Sequence, residues 1–204
     1  MKQHNRKSIR LKGYDYTRSG RYFVTIVVRN RQHLFGKIVG GEMRLNCFGE
    51  IAQKEWFTTL KKRNNIELGE VVIMPDHVHF IVSIVFPQEQ TQYDPSELDR
   101  RAGVVAGKDI CKEGSLGSIV RGYKAAVTYQ IKALIYSQNG LKTSHQRGPD
   151  ALRPIVNLKK SIWQRNYHDV IIESDRAYNN ITNYIKNNPR KWEEDLIKKL
   201  NKDD

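Results

Sequence analysis

The fourteen residues from Val71 to Ile84, VVIMPDHVHFIVSI, constrain this chain more than any other stretch. They are apolar on both sides of a polar centre, and Met74-Pro75-Asp76 turns one apolar run straight into the next, which predicts an antiparallel hairpin. Side chains in a strand alternate faces, so His77 and His79 point the same way, about 6.6 Å apart along the strand. Their neighbours are Val, Phe and Ile, which suits a central, mostly buried strand where an unpaired imidazole is costly. Two readings satisfy the ring nitrogens: a shared divalent cation, or hydrogen bonds to backbone or a carboxylate. A metal site normally needs a third ligand, and this stretch does not supply one.

The chain has 204 residues, enough for one domain with a real core, and one domain with insertions is expected. No run approaches 18 apolar residues and the lead MKQHNRKSIRLK has no apolar segment, so a cytoplasmic protein away from membranes is expected. Cys47 and Cys111 stand in unrelated contexts, which excludes a disulfide framework and a CxxC zinc site. The 35 Lys and Arg against 22 Asp and Glu leave a formal charge of +13, and such an excess favours a polyanionic partner, nucleic acid first. It is concentrated at the front, where residues 1–37 hold ten Lys and Arg and only Asp15.

Gly20 to Arg29, GRYFVTIVVR, predicts a first strand that is apolar on both faces and therefore central. A polar, basic loop follows from Arg29 to His33, and after the turn signal Gly40-Gly41 a short strand is expected at Glu42 to Leu45. Ile51, Ala52, Glu55, Trp56, Thr59 and Leu60 recur with helical period between Phe48 and Arg63. Strands are expected at Ile66 to Ile73 and His168 to Ile172, with the longest helix signal at Ser115 to Ser137. Residues 87–114, with one short helix near Ser96 to Arg101, and 141–158 read as inserted loops. Ser174 caps a further helix carrying Ala177, Tyr178, Ile181, Tyr184 and Ile185; Asn188 before Pro189 should end it. The tail 190–204 reads as a separate amphipathic helix. The order points to an α+β fold, a ferredoxin-like antiparallel sheet with helices packed on one face.

Tyr184 and Asn188 are i and i+4, so they stand one above the other on one helix face. Presented to the histidine strand, they add an amide oxygen and a phenol to two imidazoles. Nitrogen and oxygen ligands with open positions suit Mg²⁺ or Mn²⁺ acting on phosphate and do not exclude Zn²⁺. A phenol that attacks a phosphodiester forms a covalent phosphotyrosine, which keeps the bond energy for a second transfer.

The segment MPDHVHFIV resembles the HUH motif of single-tyrosine transposases, usually written PNHVH. WQRNYHDVIIESDRAYNNITNYIKNNP resembles the C-terminal signature of REP-associated tyrosine transposases, a WQ-aromatic-D lead followed by YIxxNP. YFVTIVVRNRQHLFG is similar to that family's first strand and basic loop, and SLGSIVRGYKAAVTYQI to its middle helix, so the resemblance spans roughly residues 13–190. It implies that His77 and His79 bind a metal, that Tyr184 is the nucleophile and that Asn188 is the third ligand. It further implies cleavage and rejoining of single-stranded DNA beside hairpins through a 5′-phosphotyrosine, by a monomer or homodimer. Two departures stand out: Asp76 replaces the usual Asn, and His168 precedes Asp169 where the family more often has the reverse order.

Tyr178 and Tyr167 are rival nucleophiles, and Asn188 has the simpler reading of a helix stop. Arg29, Arg31 and Lys37 are candidate DNA contacts, to phosphate before base, and Arg165 is a candidate to stack on DNA bases. Trp163 and Tyr167 suit either base stacking or the core. Two other functions fit the same residues, a phosphodiesterase in which water attacks and a hairpin-binding module without catalysis.

Overall fold

A computed structural model describes residues 14–61, 63–85, 114–140 and 161–200. The insertions expected at 87–114 and 141–158, with the short helix near Ser96, lie outside these apart from Gly114. Strands β1 (Gly20–Val27), β4 (Ile66–Ile73), β5 (His77–Ile84) and β6 (His168–Ile172) form one antiparallel sheet in the order β4-β5-β1-β6. The chain thus follows the split βαβ plan of ferredoxin-like folds, with α1 (Cys47–Lys61) and α2 (Leu116–Gly140) as its two crossovers. A second helix-bearing layer is added by α3 (Asp175–Leu200).

Because β1 and β5 are apolar on both sides, both faces of the sheet must be covered. Tyr22, Val24 and Ile26 of β1 and Val78, Phe80 and Val82 of β5 pack with Trp56 of α1 and Ile119, Tyr123 and Val127 of α2. The alternate residues Phe23 and Ile81 pack on the other side with Ile172 and with Ala177, Tyr178, Ile181 and Ile185 of α3. The α+β class and the antiparallel sheet are as expected, but the helices divide between the two faces instead of sharing one.

A two-stranded wing stands apart from the main sheet, β2 (Gly36–Val39) with β3 (Glu42–Leu45). Its turn is Gly40-Gly41 with φ of 61° and 74°, the left-handed pair that a type I′ hairpin requires. The sequence reading missed β2, because Gly-Lys-Ile-Val is too short to show a period. Gly69 sits where the β4–β5 register slips between Leu68 and Val71; a side chain there would meet Ile81 Cβ at 2.6 Å.

Pro189 does not end a helix. α3 runs through it as one element of 26 residues, so residues 190–200 of the expected separate tail continue the helix that carries Tyr184. A proline in a helix interior costs about 3 kcal/mol. Burial offsets this: Ile185 is fully buried and Trp192 half-buried, on either side of the proline, and each large apolar side chain removed from water contributes about 1.5–3 kcal/mol. The helix is also fastened at both ends. Arg21 bonds Asp175 at 2.7 Å in its first turn, Lys186 lies 3.5 Å from Glu70, and Glu193 accepts the Gly40 N–H of the wing at 3.1 Å. Ser174 caps the helix as expected, its hydroxyl accepting the Ala177 N–H at 3.2 Å.

Candidate active site

The histidine strand lies beside β1 with His77 opposite Val27 and His79 opposite Thr25. Both rings face α3, and their Nε2 atoms approach to 2.9 Å. Each ring is held from behind. His77 Nδ1 lies 2.5 Å from Asp76 Oδ1, and His79 Nδ1 lies 2.8 Å from Thr25 Oγ1. With Asp76 accepting from Nδ1–H, the Nε2 lone pair of His77 is turned outward, the arrangement in which a carboxylate orients a metal-binding imidazole.

Asp76 is fixed by backbone as well as by side chain. Its carbonyl accepts the Val28 N–H at 2.8 Å, the Pro75 carbonyl accepts the Phe35 N–H at 3.1 Å, and Met74 N–H bonds the His77 carbonyl at 2.8 Å. Arg31 Nη1 reaches Asp76 Oδ2 at 3.3 Å from a left-handed backbone, φ 51°, a conformation that costs a non-glycine residue roughly 1–2 kcal/mol. Burial by itself raises the Asp76 carboxyl, but the hydrogen bonds and charges of His77 and Arg31 outweigh it and hold the pKa below the usual value. Burial, and then His77, pushes His79 down to about 3 against the opposing charge of Asp76. His79 is therefore neutral near pH 7, as a ligand must be.

α3 crosses above this pair. Tyr184 meets the His79 ring edge-on with centroids 5.5 Å apart and Phe23 at 6.0 Å, and it stays 40% exposed. Two turns later Trp192 covers His77 at 5.6 Å, with His33 at 5.9 Å on its other side. Asn188 follows Tyr184 by one helical turn and precedes Trp192 by another, and it is 7% exposed. Tyr184 and both histidines thus come together within one chain.

Among the described residues no group of three or more His, Cys, Asp or Glu is arranged to hold a metal ion by itself. A cation would rest on His77, His79 and the Asn188 amide. The residues fit that role: two back-braced imidazoles aim Nε2 at one point, where two facing lone pairs repel unless a cation or a shared proton lies between them.

Of the predicted DNA contacts, Arg31 serves Asp76 in this structure, although its side chain remains 65% exposed. Arg29 and Arg165 are exposed near the His77 end of β1, where Val28 pairs with Trp163; Lys37 is exposed on the wing. Trp163 is core, 3% exposed, its indole N–H bonding the Lys124 carbonyl at 3.1 Å. Tyr178 packs under Arg21 at 5.3 Å, towards the start of α3 and away from the histidines. Sequence reasoning missed Thr25 and Trp192 as site residues. A lone threonine in an apolar strand was the available signal for the first; Trp192 carried none, because Pro189 separated it from the helix.

No family model matches the sequence. An uncharacterized protein of Haemophilus influenzae is 34% identical over 194 residues, covering 95% of this chain and 93% of its own. A solved REP-associated tyrosine transposase bound to a REP hairpin shares the fold, with TM-score 0.51 and 18% identity over 89% of this chain and 73% of its own. A solved Deinococcus radiodurans chain is more distant, with TM-score 0.41 and 16% identity over 87% of this chain and 95% of its own.

Proposed function

The chain belongs to the family of the uncharacterized Haemophilus influenzae protein, and from that premise and the geometry of its site we propose a metal-dependent single-strand DNA endonuclease and strand transferase. It acts beside hairpin DNA through a covalent 5′-phosphotyrosine. The observation that supports the reading is Tyr184 standing against His79 beside the two Nε2 atoms 2.9 Å apart, with the buried Asn188 four residues further along the same helix. The hairpin that the solved transposase binds supports the choice of substrate.

Tyr184 Oη attacks the phosphorus, a phosphotyrosine P–O bond forms and the P–O3′ bond breaks. The phenol gives its proton to solvent and the released 3′-oxygen takes one up, leaving a 3′-hydroxyl. Positioning of the phenol against the phosphorus and nearby positive charge favour the attack. Asp76 and Thr25 keep the two imidazoles turned toward the phosphate. Trp192 shields His77 from water. A divalent cation such as Mg²⁺ or Mn²⁺ on His77, His79 and Asn188 would polarise a non-bridging phosphate oxygen.

Incubation with a labelled hairpin oligonucleotide bearing single-stranded flanks and Mn²⁺ is expected to leave a denaturant-stable protein-DNA adduct. Tyr184→Phe should reduce it at least a thousandfold while shifting Tm by no more than about 2 °C, since the ring is part-exposed. Cleavage without an adduct would instead favour water as the nucleophile.

A further inference from the structure

α3 leaves part of β6 exposed. Lys186 of the helix reaches Glu70 of β4, while Tyr184 stands against His79 of β5 and Phe23 of β1. The strand register continues the histidine row onto β6. Thr25 pairs with His79 on one side and with His168 on the other, and directly opposed residues share a face. His168 therefore stands on the same face as the metal pair, two strand spacings of about 4.8 Å away. It is exposed. In the next row Phe23 pairs with Val170, which is 53% exposed beside Tyr184's packing partner. Lys191 Nζ lies 5.8 Å from the Tyr184 ring centroid and pairs with no carboxylate among the described residues.

Resting on the function proposed above, we infer that the single-stranded segment lies along this β1–β6 shelf. His168 and Lys191 contact the phosphate that Tyr184 attacks, and Phe23 and Val170 receive the adjoining sugar and base. Three features favour single-stranded DNA as the occupant. The shelf is continuous with the nucleophile, it offers a cation with no carboxylate partner, and it pairs polar donors with a small apolar floor, as a strand with unstacked bases requires. An imidazole N–H donates to a phosphate oxygen in its neutral form, so the contact does not depend on a protonated ring.

The test uses the full chain and two probes, a hairpin with single-stranded flanks and the same hairpin without them. Val170→Asp is expected to weaken binding of the flanked hairpin about tenfold and leave the bare hairpin within twofold. His168→Ala and Lys191→Ala should each slow single-turnover adduct formation about tenfold or more at saturating DNA, with Lys191→Arg restoring most of the rate. Tyr129→Asp, on the exposed side of α2 and the far face of the sheet, should change neither readout. Equal loss of both probes with Val170→Asp, or unchanged rates with both alanine variants, overturns the shelf. If the wild type forms no adduct, the nucleophile assignment fails, and flank-selective loss with Val170→Asp still supports the shelf.

Discussion

Asp76 shows how one residue outside the strand decides what the strand can do. Only 2% exposed, its carboxylate meets His77 and Arg31, and its carbonyl is bonded by Val28. Its negative charge acts through the imidazole, behind the point where the two Nε2 atoms converge. Asp76→Asn keeps the shape and removes the charge, and partners of this kind change metal affinity by about 10- to 100-fold. Calorimetric titration of Mn²⁺ is expected to show a loss within that range. Unchanged affinity would mean that Asp76 only holds the turn. The histidine pair was legible in the sequence because HxH with period two states its own geometry. The braces behind it were not, because Thr25 is 54 residues from His79 and only the β1–β5 register joins them.

At the scale of elements, strands were read more accurately than helix ends. β4 and β6 have the expected limits, and β5 starts at the first histidine, since Pro75 and Asp76 leave little freedom for the turn. The start of α3 at the Ser174 cap was legible, but its C-terminal limit was not. Local chemistry at Asn188-Pro189 says stop, while tertiary burial of Ile185 and the contact of Trp192 with His77 carry the helix onward. That conflict yields a prediction. Pro189→Ala restores one backbone donor and removes a ring that crowds the preceding turn. It should raise the unfolding free energy by about 1–3 kcal/mol, read from the urea midpoint at unchanged slope. A lower midpoint would mean that the proline's own packing outweighs the lost hydrogen bond.

Over the whole molecule the sheet separates two tasks. One face, packed by α1 and α2, is an apolar core around Trp56, Tyr22, Phe80 and Tyr123. Lys124 fastens that layer to the approach to β6, its ammonium bonding the carbonyls of Gln164 at 2.6 Å and Asn166 at 3.3 Å. The other face carries His77, His79 and Thr25 beneath a helix tied to β1, to β4 and to the wing. Arg29 and Arg165 remain exposed at the His77 end of the sheet, and the formal charge of +13 gives the whole protein an attraction for polyanions. No described helix is long and apolar enough to cross a membrane.

The proposed reaction turns on Tyr184, rather than another tyrosine or water, taking the phosphate. Trypsin should release Tyr178 and Tyr184 together in the peptide Ala177–Lys186, and fragmentation of that peptide from the protein-DNA adduct separates the two positions. The expected adduct is a nucleotide joined through its 5′-phosphate to Tyr184. The same mass on Tyr178 or on the peptide holding Tyr167, or cleaved DNA with every tyrosine unmodified, would contradict it.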